Sequence, residues 1–85
     1  MDELFALRDA MFNEFGEDIV REISDNADFP IDIVPDMLDD ESVIEMFAEM
    51  VHFIVEDLAP IDIEKARKTL ASANISDRDI SDLLD

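Results

Sequence analysis

Eighty-five residues carrying 24 acids, six bases and no cysteine make one short domain of formal charge −18, without a disulfide framework or thiolate chemistry. A surface that acidic repels nucleic acid and anionic lipid alike, so neither is expected as a direct ligand and the expected partner is basic. Hydrophobic residues nevertheless reach 48% and mean hydropathy is near zero, which separates the chain from disordered acidic tails and predicts that it folds.

Residues 2–23 form the first helical pattern. Leu7, Met11, Phe15, Ile19 and Ile23 recur every four residues, with Leu4, Phe12 and Val20 beside them, as on one face of an amphipathic helix. Asp2 is the expected N-cap. Gly16 falls inside the pattern and is expected to kink the helix or divide it, with Glu17 and Asp18 opening the second part. Residues 24–40 hold the turn and breaker residues Ser24, Asn26, Pro30 and Pro35. Within them, Ile31–Val34 reads as a short extended piece and Pro35–Leu38 as a single helical turn.

The strongest helix follows. Ser42-Val43-Ile44-Glu45 has the form of a capping box. From Val43 to Leu58 the apolar residues cover more than half of the helix circumference, leaving a strip of Glu41, Glu45, Glu49, His52 and Glu56. So apolar a helix is expected at the centre of its fold or against a second subunit. A homodimer would use Met46 and Phe53 on one flank or Ile44 and Val55 on the other. Ala59-Pro60 ends the helix. Asp62 is placed to cap a shorter one with Ile63, Ala66, Leu70 and Ala73 inward and Asn74 as C-cap. Ser76-Asp77-Arg78-Asp79 resembles a capping box, with Ile75 and Ile80 as its hydrophobic staple. The pattern as a whole predicts a compact all-α bundle of four or five helices, a single domain over 1–85.

The charge is concentrated at one end. Residues 1–64 hold 20 acids against Arg8 and Arg21, whereas residues 65–85 hold four acids and four bases. Glu14, Asp18 and Glu22 lie at i, i+4, i+8, as do Glu41, Glu45 and Glu49. The segment joining them adds Asp25, Asp28, Asp32, Asp36, Asp39 and Asp40, and Glu56 and Asp57 extend the second row. A solubility surface mixes both signs, and like charges at i, i+4 weaken a helix. Near-exclusion of bases over 64 residues therefore points to a field used on a basic partner. Lys65, Arg67 and Lys68 read as a brace pairing with these acids.

Other chemistries fit less well. The acidic segment lacks the D-x-[DN]-x-[DN]-G spacing of a calcium loop. Glu49-x-x-His52 has the form of a di-iron ligand pair, but one histidine per chain would require a dimer to complete it. No metal or cofactor is expected. There is no Gly-rich phosphate loop, and His52 is the only histidine, so no enzyme activity is expected. Ser42 at a helix start in a short acidic chain resembles the layout of acyl carrier proteins, which implies a modified Ser42; here the triplet is Glu41-Ser42-Val43 and no Gly precedes it.

Small, strongly acidic, helical chains of this kind resemble the DNA-mimic inhibitors of phages and mobile elements, which include anti-restriction and anti-CRISPR proteins. The stretch Glu22–Pro30 is loosely similar to an acidic helix-to-Pro junction in an anti-restriction member. The resemblance implies that carboxylates occupy the positions of phosphates in the basic groove of a DNA- or RNA-binding protein or complex. An acidic adaptor of the immunity or antitoxin type is the alternative. Met1-Asp2-Glu3 lacks the basic start of a signal peptide, and no apolar run approaches the ~20 residues of a membrane span. The expected location is thus the cytoplasm, that of the host if the chain is phage-encoded.

Overall fold

The spacing of Leu4, Leu7, Met11 and Phe15 puts four buried side chains on one face of α1 (Asp2–Phe15). The computed structural model describes residues 2–29 and 39–84, apart from the side chain of Asp2. The expected extended piece Ile31–Val34 and the turn Pro35–Leu38, with Asp32 and Asp36, lie outside the described residues. Among the described residues four further helices follow: α2 (Glu17–Asn26), α3 (Asp40–Phe53), α4 (Ile63–Ala71) and α5 (Asp77–Leu84). The fold is an all-α bundle, as the pattern predicted. Asp2, the expected N-cap, is the first residue of α1.

Gly16 divides the first pattern in two. Its φ of 92° and ψ of 137° suit glycine and not an L side chain. Its N–H donates to Phe12 O at 2.9 Å, closing α1, and its carbonyl accepts from Val20 N at 3.1 Å, opening α2. The helical phase does not carry across this hinge. Ile19 is therefore 47% exposed and Ile23 only half-buried, while Val20 and Ser24 are the buried residues of α2. Ser24 satisfies its hydroxyl by donating to Arg21 O at 2.9 Å.

The end of α2 is a Schellman motif. Phe29 N–H donates to Ser24 O at 2.8 Å and Asp28 N–H to Asp25 O at 3.3 Å, with Asp28 in the left-handed region at φ 54°. This reversal turns Phe29 back onto α3, where its ring stacks on Phe53 at a centroid distance of 4.7 Å.

Helix α3 begins three residues earlier than its expected capping box. Asp39 is the N-cap, and its Oδ1 accepts from Ser42 N–H at 2.7 Å. A carboxylate at a helix start also gains from the helix dipole, so Asp39 displaces Ser42 from that role. The apolar arc buries Val43, Met50, Phe53, Ile54 and Leu58, but Ile44 is 70% exposed. The helix with the widest contacts is α1, packed against α2, α3 and α4, so α3 is not the central element expected. Phe53 is taken into the core of its own chain, which removes it from the Met46–Phe53 flank proposed for a dimer.

The last turn of α3 widens into a π-helical turn, Ile54–Leu58, closed by Ala59 N–H donating to Ile54 O at 2.8 Å. In an α-helix the Pro60 ring would press on the carbonyl of Glu56. The wider turn relieves that clash while Ile54 and Leu58 stay fully buried. Asp62 then caps α4 as expected, accepting from Glu64 N at 3.1 Å and Lys65 N at 3.3 Å. Ala66, Thr69 and Leu70 hold α4 against α1, and the Thr69 hydroxyl donates to Lys65 O at 2.8 Å. Ile63, expected inward, is 42% exposed. The C-cap of α4 is Ser72, and Asn74 takes the left-handed conformation two residues later at φ 63°. Helix α5 starts as its capping box predicts, with Asp79 N–H donating to Ser76 Oγ at 3.2 Å. Ile80 is buried and Ile75 packs against the same core.

Candidate functional site: an acidic face along the third helix

Burial of Val43, Met50 and Phe53 fixes the rotation of α3 and so decides what faces water. Glu41, Glu45 and Glu49 are exposed in a row whose steps rise about 6 Å each, and His52 and Glu56 continue it. Asp40 is exposed at the helix start. The other expected row is interrupted. Glu14 is half-buried on α1, across the Gly16 hinge from Asp18 and Glu22. Within α2 the exposed series is instead Asp18, Glu22 and Asp25, at i, i+4, i+7.

The π-helical turn and the Schellman reversal bring three of the expected acids to one place. Asp28, Glu49 and Asp57 border a groove of about 480 Å³ between the end of α2 and α3, with His52, Phe29 and Phe53 in its walls. The aromatic pair was not foreseen. The two phenylalanines are far apart in sequence, and Asp is an unusual residue for the left-handed position that joins them.

Among described acids up to Glu64, none is buried; Glu14, Asp57 and Asp62 are half-buried and the rest exposed. Of the two arginines of this region, Arg8 lies over Phe5 of its own helix and Arg21 of α2 over Phe12 of α1, each at 5.7 Å from the centroid. Arg21 also pairs with Glu17 at 3.0 Å, one turn away on α2. Lys65 and Lys68 are exposed on α4. The Ser42 hydroxyl and then its N–H hold the Asp39 carboxyl below its ordinary value of 3.8. Ser42 thus has a structural role at the helix start.

Carboxylates only accept hydrogen bonds, so this face is suited to ammonium and guanidinium groups. Among the described residues no group of three or more His, Asp or Glu side chains is arranged to hold a metal ion. No helix among them is long and apolar enough to cross a membrane. The chain matches no protein-family model, and neither a curated protein nor a solved structure was found to be similar to it.

Proposed function

We propose that this protein is a DNA-mimic inhibitor that occupies the basic nucleic-acid-binding groove of a DNA-binding enzyme or nucleic-acid-guided defence complex. The observation that carries this reading is the outward placement of the acids, while Arg8 and Arg21 are engaged by ring and ion-pair contacts within the chain. A duplex as long as the 32 Å longest axis of the domain carries about 19 charges at one per 1.7 Å, close to the formal −18 of this chain. The residues assigned to the contact are Asp18, Glu22, Asp25 and Asp28, then Asp39 and Asp40, with Glu41, Glu45, Glu49, Glu56 and Asp57 along α3. Glu14, Asp32 and Asp36 belong to the same acidic stretch of sequence.

The test is capture of partners from a bacterial lysate on the immobilised protein, followed by elution with duplex DNA. The reading expects nucleic-acid-binding proteins that the duplex displaces; partners that saturating duplex leaves in place would reject it. A second reading, an acidic adaptor gripping a basic partner through a few anchors, is favoured by the exposed Ile44. An alanine scan separates the two. Many small, similar losses support the mimic, and one or two dominant losses support the adaptor.

A further inference from the structure

The acidic row on α3 runs beside an apolar strip that the described helices leave partly exposed. Ile44, Ala48 and Val51 lie at i, i+4, i+7, the spacing by which one helix receives another. Ile44 is 70% exposed and Ala48 is exposed, while Val51 is half-buried. Two hollows adjoin at Phe47. One of about 220 Å³ is lined by Leu4, Val43 and Ile44, with Glu3 at its edge. The other, of about 480 Å³, reaches across Ala48 and Val51 to Leu83 of α5, itself 41% exposed. Acids stand on both sides of this channel: Glu45 and Glu49 follow Ile44 and Ala48 on α3, and Asp79 and Asp82 line the α5 side.

We infer that the channel between α3 and α5 receives an amphipathic helix of a partner, with its apolar face on Ile44, Phe47 and Val51 and lysines or arginines along both edges. Charge decides between possible occupants. A second copy would bring a −18 chain against another, with acids facing acids along both rims. A basic helix replaces that repulsion with attraction while covering the same apolar side chains. The inference requires a basic partner, but not one that binds nucleic acid.

The test uses a synthetic peptide of about 16 residues, more than the ~10 Å span from Ile44 to Val51 requires. It carries leucines at helical i, i+3, i+4 spacing and lysines elsewhere. A scramble of equal composition has the same charge but no apolar face. Binding of each to the full chain is measured by fluorescence anisotropy, and the chain's mass by sedimentation equilibrium. The amphipathic peptide should bind at least about tenfold tighter than its scramble. Ile44→Ser and Leu83→Ser, at exposed positions, should keep the helical circular dichroism. Ile44→Ser should remove about tenfold of the affinity, the lower end of what burying an isoleucine contributes. Equal binding of peptide and scramble, or an unchanged affinity in both serine variants, would overturn the inference and leave the DNA-mimic reading intact. So would a dimer that Ile44→Ser dissociates. Conversely, partners that resist displacement by DNA would end the mimic reading and leave this channel standing.

Discussion

Replacing Gly16 by alanine tests the division between α1 and α2. If residues 2–26 formed one continuous helix, alanine would stabilise it by about 1 kcal/mol, because glycine is the poorer helix former. The structure gives the opposite sign. Gly16 sits at φ 92°, ψ 137°, and a Cβ there would meet nothing within 4 Å. No clash contributes, so the whole cost is backbone strain, about 1–3 kcal/mol for a region open to glycine. Urea unfolding followed by far-UV circular dichroism measures it. With a slope near ~1 kcal/mol per molar for a domain this small, the midpoint should fall by about 1–3 M. A midpoint that stays or rises would show that the hinge is not a fixed part of the fold, and the separate placement of the Asp18, Glu22, Asp25 row would fall with it.

Phe29→Ala removes the stack on Phe53 and should cost about 1–3 kcal/mol, less than a fully buried phenylalanine because Phe29 is half-buried; an unchanged melting temperature would contradict the packing. Asp39→Ala should destabilise the domain at neutral pH by removing the N-cap of α3. Because the folded-state pKa of Asp39 lies below 3.8, its ionised form contributes above the unfolded value, and the contribution is lost as pH falls through the lower folded value. The difference between wild type and Asp39→Ala in thermal unfolding should accordingly shrink below pH 3.8, and a difference that grows there would be inconsistent with the cap. Adding salt should raise the melting temperature by screening the self-repulsion of a −18 chain; a melting temperature that falls with salt would mean that attractive pairs dominate the surface.

Local signals carried the helices well. The four-residue spacing of Leu7, Met11 and Phe15 reads directly as the inner face of α1, and Asp62 and Ser76 mark the starts of α4 and α5. The acidic strip on α3 was legible for the same reason, since burial of Val43, Met50 and Phe53 leaves only one side for Glu41, Glu45 and Glu49. What periodicity missed was any change of phase or direction. Ile19 kept the rhythm of α1, yet the hinge at Gly16 had already reset it. Ser42 had a capping box, but Asp39 offered a charged acceptor three residues earlier. The groove beside Asp28 depends on a left-handed Asp, a widened turn ahead of Pro60 and an aromatic contact between distant residues, none of which has a local sequence signature. The exposure of Ile44 has no local signature either, since its apolar neighbour Val43 on the same helix is buried.

The most direct test of phosphate mimicry is the affinity of the protein for a purified captured partner, titrated against salt with and without duplex DNA of the partner's preferred length. Opposed fields are screened within about 8 Å at physiological ionic strength, and a ligand that stands in for phosphates must share their site. The account predicts an affinity that falls steeply as salt rises and is abolished by saturating duplex. An affinity that holds from low to high salt, or a complex that binds the protein and duplex together without mutual loss, would contradict it.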